Sequence, residues 1–296
     1  MIKNFFDDNK IEYEENASLK KHNTYKVDAT CDYLVFPKNE SELIKILKEI
    51  KKNNLKYLIL GNGSNIILSK PNYSGIIIKL DNLNDIKYDD KIVTVGAGYS
   101  LIKLSLETAE KGLSGLTFAS GIPGVVGAST AMNAGAYNSD MSTVVKSVRV
   151  LNSDLRIITM TNKELEYSYR DSFLKRNKDY IVLSTTFELT EGDSEAMKNQ
   201  INERRLKRIS SQPLNMPSAG SVFRNPLNMY AGELIEKLNL KGYSIGGAEV
   251  SEKHANFIVN KGNATGEDIV KLIEIIKKEV KEKYDVKLIL EQIIIE

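Results

Sequence analysis

The chain has 296 residues, 42% of them hydrophobic and 27% charged, the proportions of an ordinary folded protein with about two domains. Lys plus Arg total 41 and Asp plus Glu 39, for a net charge of +2, which excludes a nucleic-acid grip spread over the whole surface and an acidic disordered tail. One cysteine (Cys31) and two histidines (His22 and His254) exclude an intrachain disulfide and leave little for a transition-metal site.

Helical and strand patterns alternate along the chain. The N-terminus, MIKNFFDDNKIEYEEN, is acidic and lacks a continuous apolar run, so it does not read as a secretory signal. With the lone cysteine, this points to a cytoplasmic protein. Asn39 followed by Glu42 resembles a capping box, and Leu43, Ile44, Leu47 and Ile50 continue at helical spacing. A strand is expected over 57–60, then the loop Gly61-Asn62-Gly63-Ser64-Asn65, then strands over 66–68 and 76–79. A second unit begins near Asp81, with a strand over 92–95 and a helix over 100–111 closed by Gly112. A hairpin follows over 144–151 and 155–160, across Asn152-Ser153-Asp154. Next come a strand over 180–189 and a charged connecting helix over 193–208. The turn Gln212-Pro213 opens a third unit, with helices over 230–240 and 265–284. Thr265 and Asp268 cap the second of these. A strand over 286–295 closes the chain. Strands and helices mix without strict βαβ repetition, so the class is α+β.

One stretch calls for a membrane test. No charged residue lies between Lys111 and Asp140, a span long enough to cross a bilayer. It holds six glycines, one proline and two asparagines between Gly112 and Ser139, a composition too polar and too helix-breaking for a lipid-exposed span. In a water-soluble protein it reads instead as main chain packed close to a ligand.

Five constellations could carry chemistry. In Gly61-Asn62-Gly63-Ser64-Asn65, two glycines let successive amides converge on an anion such as a pyrophosphate, and a plain hairpin turn is the alternative. The third glycine and following helix of a Rossmann fingerprint are missing. In Ser120-Gly121-Ile122-Pro123-Gly124 through Gly127 to Asn133, Gly135, Ala136 and Tyr137, small residues would let a large planar or phosphorylated ligand lie on the main chain, unless the stretch is a packing crossover. Two such loops point to a dinucleotide cofactor. Tyr169-Arg170-Asp171 offers either a bidentate anion fork or a surface ion pair. In Pro217-Ser218-Ala219-Gly220-Ser221-Val222-Phe223-Arg224-Asn225-Pro226, a serine follows a glycine, but no nucleophile elbow is present and two histidines support no triad. Ser221 can still donate a proton to a reactive carbon. The fifth pairs the segment carrying Glu249 and His254 with Glu291, a carboxylate in an apolar run. By pattern alone that carboxylate faces solvent on an edge strand.

In order along nearly the whole chain, these segments resemble the UDP-N-acetylenolpyruvoylglucosamine reductase family, also called UDP-N-acetylmuramate dehydrogenases. The runs 112–137 and 217–226 carry the resemblance most specifically, and the Pro-Ser-Ala-Gly-Ser form is similar to the type II branch. The resemblance implies a two-subdomain FAD-binding fold of the vanillyl-alcohol-oxidase (PCMH) type, plus a C-terminal α+β substrate-binding domain. The expected boundaries are 1–80, 81–209 and 210–285, with the closing strand 286–296 able to return to the first. It implies non-covalent FAD held by residues 61–65, 120–124, 127, 133 and 135–137, and NADPH as co-substrate. The small-molecule substrate would be UDP-N-acetylglucosamine enolpyruvate, held by Tyr169, Arg224, Asn225 and His254. Catalysis would fall to Ser221 as proton donor, with Arg170 and Glu291 stabilising the enol, in peptidoglycan synthesis. No nucleic-acid or membrane partner is expected.

Glycines 61, 63 and 124 are expected to sit against FAD with little room for a Cβ. Four positions depart from the family pattern: Asp28-Ala29 in place of Gly-Gly, Ser211 in place of Lys, and Ile293 in place of Arg. Two alternatives stand beside this reading. One is a flavin oxidase of the same superfamily, disfavoured because neither glycine-rich loop has a His or Cys for covalent attachment. The other is a nucleotide-sugar-binding protein that has lost catalysis, disfavoured because Arg170, Ser221 and Glu291 are all present.

Overall fold

Apolar residues alternating with polar ones along the middle of the chain build its largest sheet. The computed structural model describes residues 2–296. In it the strands Ile157–Thr161, Val145–Leu151, Ile181–Glu188, Ile92–Gly96 and Ile86–Asp89 pair antiparallel in that order. The strand Ile181–Glu188 has neighbours on both sides and is buried along nearly its whole length, Ser184 and Thr185 included. The expected hairpin forms, with Leu151 opposite Ile157.

Contacts divide the chain into two units, each assembled from separate segments. One comprises the residues up to Glu14, Tyr33–Gly61 and Gly75–Arg205. The other comprises Glu15–Asp32, Asn62–Ser74 and Leu206–Glu296.

In the first unit the helix Glu40–Lys52 buries Leu43, Ile46, Leu47 and Ile50 in the same core as Val148 and Val150. Asn39 caps it, its side chain accepting from the Glu42 amide. The Glu42 carboxylate accepts from the Lys38 amide at 2.6 Å, so the reciprocal half of the box lands one residue upstream. Arg149 grips Glu40 with both arms, at 2.9 and 3.0 Å, and so ties the sheet to the start of that helix. Tyr57–Ile59 pairs in parallel with Ile76, Ile77 and Ile78.

The helix Leu101–Glu110 starts at a Ser100 cap and ends at Gly112, whose φ of +73° only glycine adopts without strain. The uncharged stretch after it breaks into a two-residue strand (Leu113–Ser114), a 3₁₀ turn (Thr117–Gly121), a short helix (Val126–Ala131) and a hairpin of Gly135–Ala136 with Ser139–Asp140. Among the described residues, no helix is long and apolar enough to cross a membrane.

In the second unit Ser244–Ile245, Ala248–Val250 and Ile258–Asn260 form an antiparallel sheet. The helix Gly266–Tyr284 carries the full Thr265/Asp268 capping box and buries Ile269, Leu272, Ile273, Ile276 and Val280. The expected 230–240 helix is shorter, Ala231–Glu236, and the chain then turns through Asn239 at φ +56°.

The closing strand departs most from expectation. Only Ile293–Ile295 is strand, paired in parallel with Ile66–Leu68. Residues 286–292 are irregular because their main-chain groups are spent elsewhere. Ile289 O accepts from the Arg224 amide, the Glu291 amide donates to Val222 O, and Leu290 bridges Phe223.

Gly266 marks the closest approach in this unit. A Cβ there would stand 1.6 Å from the Leu68 carbonyl oxygen. Alanine at a helix position is normally better than glycine by about 1 kcal/mol. Gly266→Ala is expected to reverse that sign and cost about 2 kcal/mol, as overpacking against main chain does. A shift of the urea midpoint to lower concentration measures it; an unchanged or higher midpoint contradicts the close approach.

Candidate active site

Within the first unit, Gly61 lies against the second glycine-rich stretch. Gly61 ends the segment after Tyr57–Ile59, and a Cβ on it would lie 3.0 Å from Val125 Cγ2 and 3.2 Å from Ala128 Cβ. Its carbonyl accepts from the Lys79 ammonium at 3.2 Å, and Lys79 also pairs with Asp81 at 3.3 Å. Lys79 is only 5% exposed, and a buried charge survives only when paired and hydrogen-bonded. Gly127 approaches Ala97 closely, with its amide donating to Ala97 O. Gly124 leaves no room for a Cβ beside the Ser129 hydroxyl, and its carbonyl accepts from the Leu101 amide.

The little room for a Cβ expected at Gly61 and Gly124 is found, and the atoms that limit it are side-chain atoms of the protein itself. Gly63, in the second unit, also has little room. Its φ is +62°, and a Cβ would stand 2.1 Å from the His22 carbonyl. These glycines let chain pass chain. Asn62 is exposed, while Ser64 and Asn65 are half-buried.

The rest of the uncharged segment is held by its own side chains. Ser120 donates to Thr117 O at 3.0 Å, and the Ile122 amide donates to Ala119 O. Gly121 is half-buried and Pro123 exposed. Thr117 is linked in turn to Gln200 and Arg204. Asn133 is buried with φ +45°. Its Nδ2 donates to Asp140 and to Ser168 O, and its Oδ1 accepts from the Ser142 amide, so its side chain acts as a strut. Ala136 pairs with Ser139 across Tyr137 and Asn138, both left-handed at φ +56° and +59°, the geometry of a type I′ turn. The Tyr137 ring lies 4.5 Å from the Arg204 guanidinium.

Arg170 joins this segment through its side chain. One arm donates to the Gly135 carbonyl at 2.6 Å, and the guanidinium lies 5.3 Å from the Tyr169 ring. Ser168 and Asp171 bridge around Tyr169-Arg170, with Arg170 at φ +54°. Asp171, next in sequence, pairs with Arg176.

In the second unit Ser221 and Glu291 lie on hydrogen-bonded segments. Ser221 bridges Phe257, and Phe223 bridges Leu290. Gly220 has φ +75° with nothing within 4 Å of a would-be Cβ, so conformation rather than space requires glycine there. Glu291 is half-buried and lies outside the closing strand. This corrects the expectation of a continuous strand over 286–295 that carries Glu291. Its carbonyl accepts from Asn65 Nδ2 at 3.2 Å, and the Ile293 amide donates to Asn65 O. The end of the 61–65 loop and the Glu291 segment therefore hold one another.

Asn225 is exposed and accepts from the Ala231 amide, anchoring the start of a helix. Arg224 is half-buried, its amide bonded to Ile289 O. His254 packs 4.8 Å from the Phe257 ring, and its Nδ1 accepts from the Asn256 amide. Burial lowers its pKa, so the neutral ring carries its proton on Nε2.

Two buried amides at this turn escaped the sequence reading. Asn256 Nδ2 donates to Phe223 O, and its Oδ1 accepts from the Phe223 amide. Gln292 Nε2 donates to Ala219 O and Gly220 O, and its Oε1 accepts from the Tyr25 hydroxyl. The only signal for Gln292 was a second polar residue inside the apolar run that also holds Glu291.

Comparison with known proteins agrees with these features. Residues 31–161 match the family described as FAD binding domain, and residues 212–295 match UDP-N-acetylenolpyruvoylglucosamine reductase, C-terminal domain. The chain is 44% identical over 276 residues to the UDP-N-acetylenolpyruvoylglucosamine reductase of Anoxybacillus flavithermus, covering 93% of this chain and 91% of the relative. It is 41% identical over 272 residues to that of Bacillus subtilis, covering 92% and 90%. The crystal structure of the corresponding enzyme from Thermus caldophilus superposes with a TM-score of 0.80 at 32% identity, covering 96% of this chain and 98% of that one. The chain belongs to the UDP-N-acetylenolpyruvoylglucosamine reductase family, with an FAD-binding α+β fold followed by the family's C-terminal domain.

Proposed function

We propose a division of labour among the residues of this chain for the reaction of its family, the FAD-dependent, NADPH-driven reduction of UDP-N-acetylglucosamine enolpyruvate to UDP-N-acetylmuramate. The observation that carries it is the Ser221 turn, held by hydrogen bonds against the segment bearing Glu291. Residues 1–80 and 81–209 serve as the FAD-binding subdomains and 210–285 as the substrate-binding domain. A cytoplasmic location fits a chain with a single cysteine, the buried Cys31.

The chain's residues fit a dinucleotide. From Gly112 to Ser139 no side chain carries charge, and glycine and other small residues predominate. Main chain is therefore what these loops offer a ligand. The pyrophosphate falls to Gly61–Asn65, and the rest of the cofactor to Ser120, Gly121, Ile122, Pro123, Gly124, Gly127, Asn133, Gly135, Ala136 and Tyr137. Lys79 and Asn133 keep those loops in shape. When bound, FAD carries a hydride from NADPH to the methylene carbon of the enolpyruvyl group.

Arrival of that hydride leaves negative charge on the neighbouring carbon and its carboxylate. Arg170 meets the growing charge with a planar fork whose orientation is set by its bond to Gly135 O. Ser221 donates the proton to the carbon that becomes the lactyl stereocentre. A serine hydroxyl is a weak acid, but the enolate carbon is a strong base, so the transfer runs downhill. Glu291 acts with Arg170 on the enol. Tyr169, Arg224, Asn225 and His254 position the nucleotide sugar.

Ser221→Ala is expected to keep its flavin and its reduction by NADPH, while reoxidation by the enolpyruvyl sugar nucleotide slows about 10²–10⁴-fold, the usual contribution of a placed proton donor. Ser221→Cys should retain more activity than alanine. Stopped-flow measurement of the two half-reactions decides, and a wild-type reoxidation rate in Ser221→Ala assigns the proton to another group. Arg170→Lys keeps charge but loses the fork. It should slow reoxidation by about 10²-fold or more and leave flavin reduction near wild type. Equal damage to both halves would make Arg170 a structural strut.

A further inference from the structure

A proton donor is only as good as its aim, and the main chain that aims Ser221 is not held by a sheet. Ser221 makes a single bridge to Phe257, and the residue before it is the left-handed Gly220. No neighbouring atom lies within 4 Å of a Cβ at Gly220, so nothing packs against that face of the residue. Two carbonyls immediately upstream, Ala219 O and Gly220 O, accept from one buried group, the side-chain amide of Gln292, at 3.0 and 3.1 Å. The amide oxygen accepts from the buried Tyr25 hydroxyl at 2.9 Å. Burial raises the Tyr25 pKa, so that hydroxyl remains a donor. Gln292 is 3% exposed; both its N–H groups and its oxygen have partners. Downstream of Ser221, Asn256 closes on both main-chain groups of Phe223.

We propose that Gln292 is a positioning residue of the reaction: it fixes the peptide planes of Ala219 and Gly220, and through them the direction in which the Ser221 hydroxyl points. This rests on Ser221 being the proton donor. Gln292 follows Glu291 directly and the Glu291 amide donates to Val222 O, so one short stretch of chain orients both the donor and the carboxylate. Freed of the Gln292 bonds, the Ala219–Gly220 peptides can rotate about the glycine. The hydroxyl then samples directions away from the carbon it must protonate. Misplacement by about 1 Å is enough to cost 10²-fold.

The test uses the FAD-loaded enzyme and its two half-reactions. Gln292→Met keeps length and apolar bulk and removes every hydrogen bond. It should leave flavin content and the rate of flavin reduction by NADPH within about twofold of wild type, and slow reoxidation by the enolpyruvyl sugar nucleotide by about 10–100-fold. In a Ser221→Ala background the same change should add less than about twofold, because nothing remains to aim. Tyr25→Phe removes only the hydroxyl behind the amide and should slow reoxidation several-fold. It decides the matter if Gln292→Met does not fold.

Wild-type reoxidation in a folded Gln292→Met, or in Tyr25→Phe where Gln292→Met does not fold, overturns the proposal. So does equal slowing of both half-reactions, or a full penalty retained without Ser221. A wild-type rate in Ser221→Ala alone would instead remove the donor assignment on which the proposal stands. Stalling in Ser221→Ala beside full activity in Gln292→Met removes only the role of Gln292.

Discussion

Buried main-chain N–H and C=O groups must find partners, and in this protein the segments assigned to chemistry are those without a sheet or long helix to supply them. Residues 61–65, 217–226 and 286–292 are mostly irregular, and 119–137 is broken into a 3₁₀ turn, a short helix and a two-residue strand. Their groups are paired instead by a few buried side chains. Lys79 holds Gly61, Asn133 holds Ser168 and Ser142, Asn256 holds Phe223, and Gln292 holds Ala219 and Gly220. Asn23 does the same near the N-terminus, donating to Leu19 O and Val27 O and accepting from the Val27 amide. An amide can donate twice and still accept, which is why Asn and Gln recur in this work. The chain thereby gains non-repetitive loops whose main-chain groups are hydrogen-bonded.

Glycine serves the same end by another route. At Gly127 and Gly266 the chain passes main chain of a neighbouring element at distances that no Cβ permits. At Gly220 the demand is for a left-handed φ with open space around it. Both uses look alike in a sequence, and they predict different consequences. Adding a side chain at the first kind pushes two elements apart, whereas at the second it twists a turn.

Much of the architecture was legible because local rules act alone. The Thr265/Asp268 box, the Ser100 cap, the Gly112 stop and the hairpin at 152–154 depend on neighbours in sequence. The closing strand was misread because an apolar run specifies burial and not a partner. Its main-chain groups pair with Val222 and Arg224, far away in the chain. Arg170 and Ser221 stood out by residue type and setting, and Glu291 by polarity among apolar neighbours. Asn256 and Gln292 could not be read, since an amide facing main chain and one facing water are the same letter. Lys79 was hidden for the same reason, as a lysine at a strand end is usually solvated.

The parallel pairing of Ile66–Leu68 with Ile293–Ile295 has a consequence for synthesis. Ser69 donates to a carbonyl 226 residues downstream. At about 5–20 residues per second, the apolar strand Ile66-Ile67-Leu68 leaves the ribosome roughly 10–45 s before its partner exists. The first unit has all its segments once Arg205 is made, while the second waits for residues 206–296. An unpaired apolar edge invites a wrong partner. The vulnerable interval of translation therefore belongs to the second unit, in the same strand pair that later anchors the loop of Asn65 beside Glu291.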